Sequence, residues 1–102
     1  MVVLLYFIDY AFIMGFEYDE NKSQTNKLKH GIDFDEAQAL WNDPERLEIP
    51  AQCTDEPRYM IIGVLNKQHW SAIVTYRDQN IRLISVRSAR KEEVKLYESI
   101  EL

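Results

Sequence analysis

The sequence predicts an α+β domain in which helices pack on a small antiparallel sheet. Three features carry that reading. Two capped helical segments follow one another between Glu20 and Trp41; three runs of β-branched and aromatic residues fill residues 58–87; an amphipathic segment follows Ser88. In order, Phe16 and Tyr18 alternate with polar neighbours in GFEYD, as a short strand would. Asp19 is placed to cap a helix over ENKSQTNKLKH, and Gly31 to end it in the left-handed conformation that suits glycine. That helix is mostly polar, with Leu28 its one large aliphatic residue, and so belongs on the surface.

Asp33 and Glu36 form the pattern of a capping box opening a second helix. Phe34, Ala37, Leu40 and Trp41 fall at i, i+3, i+6 and i+7, a stripe that faces a core. Pro44 ends it by disfavouring helix at Asp43. The stretch containing Pro50 and Pro57 reads as irregular. RYMIIGVL, WSAIVTY and IRLISVR then read as strands, with the polar turns NKQH and RDQN at the spacing of a meander. Ser88 is placed to cap a last helix, with Val94, Tyr97 and Ile100 along one side. The prediction places two N-terminal helices and one C-terminal helix on the sheet.

At 102 residues there is room for one core and not for two, and three Gly and three Pro leave no linker. The domain is assigned to residues 14–102. Residues 1–13 form an apolar extension, interrupted by Asp9 and short of the roughly 20 residues of a membrane span. It lacks a positive leading segment, so a signal peptide is not expected. It reads either as a buried strand or as sequence upstream of a start at Met14, and the pattern beginning at GFEYD favours the second. A lone cysteine, Cys53, and two distant histidines, His30 and His69, exclude a disulfide within the chain and the usual zinc patterns. A metal-free, cofactor-free protein of the reducing cytoplasm is expected.

The net charge of −5 speaks against indiscriminate nucleic-acid binding. Charge placement qualifies this. From Lys67 through Lys91 only Asp78 is acidic, against Lys67, Arg77, Arg82, Arg87, Arg90 and Lys91, which suits a local anion site. Lys27, Lys29 and His30 gather at the C-terminal end of the first helix. They either offset the helix dipole or meet a phosphate, and the sequence leaves both open.

The ordered set FEYDENKSQTNKLKHGIDFDEA, a following DP, Arg58, Ile62-Gly63, Arg82 and ISVRSARKEEVKLYE resembles the BrnT family, toxins of BrnT/BrnA type II toxin-antitoxin pairs. The matching positions run from about residue 15 to 98 and include Asn26, Lys29, His30, Arg87, Glu93 and Tyr97. The resemblance implies a RelE-like ribonuclease fold, RNA cleavage that inhibits translation, and neutralisation by a BrnA-type antitoxin. Such antitoxins carry a ribbon-helix-helix segment; a 2:2 complex is implied, reaching operator DNA only through the antitoxin.

RNA supplies its own nucleophile, the 2′-hydroxyl, so no triad and no metal are required. The protein must align the 2′-oxygen with the leaving 5′-oxygen, move protons and stabilise charge on phosphorus. Arginine suits the last task, being planar, cationic and able to donate paired hydrogen bonds. Lys29, His30, Arg58 and Arg87 are the expected catalytic residues, and Lys22, Lys27, Arg77 and Arg82 the expected RNA contacts. Arg82 and Arg87 have opposite parity on one strand, so they face opposite sides unless a bulge intervenes. Glu93 and Tyr97, four apart, read as a structural pair, while Lys29, His30 and Tyr97 are the candidate proton donors. His69 and Trp70 read as hairpin residues and Cys53 as inert. The chain departs from the family pattern at Pro57-Arg58, where Glu-Arg is usual, and at Ile84-Ser85-Val86-Arg87, where Ile-Ser-Ala-Arg is usual. The missing glutamate is a general-base candidate or an arginine's partner. A catalytically degenerate relative that binds antitoxin and tunes repression is the alternative.

Overall fold

A computed structural model of the protein describes residues 15–51 and 55–99. The readings made for residues 1–13, Cys53 and Ile100 lie outside the described residues. The elements are β1 (Gly15–Glu17), α1 (Glu20–His30), α2 (Phe34–Ala37, tightening into a 3₁₀ turn over Gln38–Asn42), β2 (Leu47–Ala51), β3 (Arg58–Leu65), β4 (Gln68–Arg77), β5 (Asn80–Ser88) and α3 (Lys91–Ser99). Asp19 accepts from the N–H groups of Asn21 and Lys22, and Gly31 ends α1 at φ 81°. The Asp33–Glu36 capping box is complete.

The five strands lie in the order β1-β5-β4-β3-β2. Strands β2 to β5 form the antiparallel meander, but β1 runs parallel to β5, with Gly15 opposite Asn80 and Glu17 opposite Arg82. The sheet is therefore mixed rather than purely antiparallel. The chain leaves β1 through two helices and re-enters the sheet at the far edge, and a long crossover of that kind lets strands run parallel. The far-edge strand β2 occupies part of the stretch that reads as irregular from sequence. Pro50 sits in it opposite Tyr59, where an edge strand tolerates a missing N–H.

The β3–β4 and β4–β5 hairpins each close through two residues of positive φ, Asn66-Lys67 and Asp78-Gln79. These are the conformations that tight hairpins demand, met here without glycine. Gln79→Gly removes a Cβ from the left-handed region and is expected to stabilise the protein by about 1 kcal/mol. Urea denaturation checks this, and an unchanged midpoint would contradict it.

Cross-strand neighbours share a face of the sheet. Ile61, Ala72, Val74, Leu83 and Val86 face the main core, which Ile32, Phe34, Ala37, Leu40 and Trp41 complete. The four-residue stripe of the second helix is thus wholly buried, although half of it is 3₁₀ rather than α. Phe16 meets Trp41 edge-on, and Tyr18 meets Phe34 likewise. The opposite face carries Ile62, Ser71 and Arg87, and α3 docks there. Ser88 does not cap α3: it ends β5 and its Oγ accepts from Gln68. The Glu93 carboxylate reaches back to the Arg90 N–H instead.

Candidate phosphate cleft at the edge of β5

Helix α1 has no apolar face with which to dock, and it docks through polar groups. Ser23 and Asn26 are its buried residues, whereas Leu28 is 89% exposed. Ser23 Oγ accepts from the Phe34 N–H at 2.8 Å. The Asn26 amide donates to the carbonyls of Ile32 and Val86, each at 2.8 Å, and accepts from the Val86 N–H at 3.2 Å. Strand β1 pairs with β5 only as far as Arg82, and beyond that point Asn26 takes its place on the outer edge.

Between those two attachments lies a cleft of about 470 Å³. Asp19, the cap of α1, lines it together with Asn21, Lys22, Thr25, Asn26, Lys29 and His30 of the helix, and Ile84 and Ser85 line it from β5. The β5 wall is a bulge: Leu83 is opposite Val74 and Ser85 opposite Ile73, leaving Ile84 without a cross-strand partner. Bulges of this kind re-aim side chains and recur beside functional sites. Among the described residues, Lys22, Lys29 and His30 make no ion pair. Three of the eight residues expected at the site therefore share one wall of one open cleft.

The arginines behave differently. The bulge restores parity, so Arg82 (opposite Thr75) and Arg87 (opposite Ser71) emerge on the same face, not on opposite ones. Arg58 and Arg77 share that face by strand alternation. Ser85 is on it too, so Arg87 lies two residues, roughly 7 Å, from the cleft wall. Arg58 sits at the Thr75 end of the sheet, roughly 13 Å along the strands from the Arg87 row. Neither arginine lines the cleft. Each is paired with a carboxylate from outside the Lys67–Lys91 run. Arg87 forms a two-bond pair with Glu93 at 2.8 Å, and Arg82 meets Glu17 at 2.9 Å. Glu56 stands 3.4 Å from Arg58 and 3.5 Å from Arg77. Glu56, one residue ahead of Pro57, so supplies the partner that the departure at Pro57 removes. Lys27 is paired with Glu36 at 2.8 Å, away from the cleft.

These pairs shift the acids involved. Hydrogen bonds from Asn80 and Arg82 hold Glu17 below the usual carboxylate range. Lys27 and the Asp33 backbone do the same for Glu36. Arg87 above all, then Arg90 N–H and Ser71 Oγ, pull Glu93 down to about 2 against the cost of burial. Glu93 and Tyr97 do not pair with each other. Tyr97 donates to Asp43 at 2.6 Å and packs edge-on against His69. Burial works to raise the Asp43 pKa, but hydrogen bonds from Tyr97, Val64 and Glu45 outweigh it. Tyr97 does not line the cleft, so of the three candidate proton donors only Lys29 and His30 do. No group of three or more His, Cys, Asp or Glu residues converges among the described residues.

Sequence reasoning missed Asn26 as a joint and Ser85 as a wall. The one available signal was the absence of any apolar stripe on α1, which requires a polar means of docking.

In this small α+β domain, three cations that make no ion pair among the described residues thus line a cleft between a helix and a bulged strand edge, with Asp19 at its rim. No helix among the described residues is long and apolar enough to cross a membrane. Residues 18–93 match the model of the BrnT_toxin family, described as the ribonuclease toxin BrnT of type II toxin-antitoxin systems. The match covers most of the chain, and the protein belongs to that family. Membership implies a cognate antitoxin as partner. No individual curated protein is a match.

Proposed function

We propose that residues 14–102 form a metal-independent endoribonuclease toxin of RelE-like fold, acting in the cytoplasm to inhibit translation. A BrnA-type ribbon-helix-helix antitoxin neutralises it in a 2:2 complex that contacts operator DNA only through the antitoxin. The observation that supports the nuclease reading is that Lys22, Lys29 and His30 line one cleft and make no ion pair among the described residues, although Asp19 lines it too.

The scissile phosphate enters this cleft. Its 2′-oxygen attacks phosphorus while the bond to the 5′-oxygen breaks, giving a 2′,3′-cyclic phosphate and a 5′-hydroxyl. The 2′-hydroxyl proton passes to a base and the departing 5′-oxygen receives one. His30 serves proton transfer, since imidazole exchanges protons near neutral pH. Lys29 and Lys22 offset the negative charge that grows on the phosphoryl oxygens. Arg58 and Arg87 join as catalytic groups only by exchanging their carboxylates for the phosphate, and Arg77, Arg82 and Lys27 contact RNA on the same terms.

That every sheet arginine is occupied by a carboxylate favours a second reading, a degenerate toxin that retains antitoxin binding and co-repression. One experiment separates the two. Recombinant protein freed of antitoxin is incubated with RNA in EDTA, and its induced expression is followed with and without the antitoxin. The nuclease reading expects degradation and growth arrest relieved by the antitoxin. Tight complex formation with neither effect overturns it in favour of the second.

A further inference from the structure

We infer that Asn26 is the positioning residue of the cleft: its amide acts as a one-residue substitute strand that sets the distance between the cation wall and the β5 bulge. The inference rests on the cleft being the RNA site. Asn26 is 7% exposed and uses both amide hydrogens and its oxygen in bonds to main-chain groups. It satisfies both edge groups of Val86 at once, as a neighbouring strand would, and it does so where β1 has already ended.

Three segments meet at this one group: α1, the Gly31–Asp33 connection through Ile32, and β5. Lys22 precedes Asn26 by four residues, and Lys29 and His30 follow it by three and four, so all three cations lie on its side of the helix, within one turn. On the strand, Ile84 and Ser85 lie two and one residues before Val86. Slack at the Asn26–Val86 joint therefore appears undiminished as misplacement of the cations relative to Ser85. No apolar contact of α1 can absorb it, because the helix buries only Ser23 and Asn26.

Ser23 provides the control. It is 3% exposed, makes one buried hydrogen bond to the Phe34 N–H, and does not line the cleft. Asn26→Ala and Ser23→Ala are compared well below their melting temperatures. Two readouts are taken: kcat and KM for RNA cleavage, and the NMR shift of the His30 ring proton on titration with inorganic phosphate. Asn26→Ala is expected to lose kcat by about a hundredfold with KM nearly unchanged, the scale of a 1 Å misplacement. Its phosphate response is expected to weaken at least tenfold. Ser23→Ala keeps kcat and the phosphate response of the parent, whatever it loses in melting temperature. Equal losses in both variants, in proportion to stability, overturn the assignment. A parent protein that cleaves no RNA removes the nuclease reading alone, because the phosphate titration still compares the variants. A parent whose His30 signal ignores phosphate overturns the assignment itself.

Discussion

His30→Ala is expected to slow RNA cleavage by about 10²–10⁴-fold, the range that a positioned acid or base contributes. Lys29→Ala should cost about 10²–10³-fold, as removal of one charge-stabilising donor does elsewhere. Both side chains are exposed at the open end of α1 and neither carries a structural hydrogen bond or ion pair among the described residues. Their loss should therefore leave the melting temperature nearly unchanged. Single-turnover cleavage in EDTA, beside a thermal melt, measures both quantities on one preparation. Full cleavage rates in both variants would remove the cleft from the reaction.

Glu93→Ala is expected to destabilise the fold by about 2–4 kcal/mol at neutral pH. Its carboxylate accepts four hydrogen bonds, from both terminal nitrogens of Arg87, from Ser71 Oγ and from the Arg90 N–H. The side chains of Arg87 and Glu93 are 26% and 12% exposed, so the loss lies toward that of a buried pair whose partner is left uncompensated. A domain of this size should melt roughly 10–25 °C lower. The pH dependence carries a definite sign. The carboxyl has a pKa of about 2 when folded, below its ordinary value of 4.5. Its contribution is fully present above about pH 4.5 and is lost as pH falls toward 2. Urea denaturation at pH 7 and pH 3 should therefore show a smaller gap between parent and Glu93→Ala at the lower pH. A gap that widens on acidification would contradict this assignment. Arg87→Ala breaks the same latch, so its effect on cleavage has meaning only once its loss of stability has been subtracted.

The latch also shows why the site was partly illegible. Arg87 and Glu93 were both visible as charged residues near the chain end, but Glu93 reads as a partner for Tyr97, four residues along one helix face. In the fold, α3 turns Glu93 toward the sheet and Tyr97 toward Asp43. Local spacing proposes such pairs; the docking angle of the helix selects among them. The arginine parity argument failed for a related reason. A single extra residue at Ile84 reverses the facing of everything beyond it, and bulges leave no reliable mark in an apolar strand.

By itself the sequence determined the helix caps at Asp19, Gly31 and Asp33, the buried stripe Phe34–Trp41 and the three central strands. Each of these is decided within a few residues, by hydrogen bonding of a local side chain or by alternation of apolar groups. Only the tertiary structure decided that β1 runs parallel to β5, that Asn26 completes the edge β1 leaves, and that Lys22, Lys29 and His30 make no ion pair among the described residues while each sheet arginine makes one. Those outcomes depend on which distant backbone edge or charge arrives alongside. Electrostatic and hydrogen-bond partners up to 65 residues apart, as Glu17 and Arg82 are, are chosen by packing geometry rather than by neighbours in the chain.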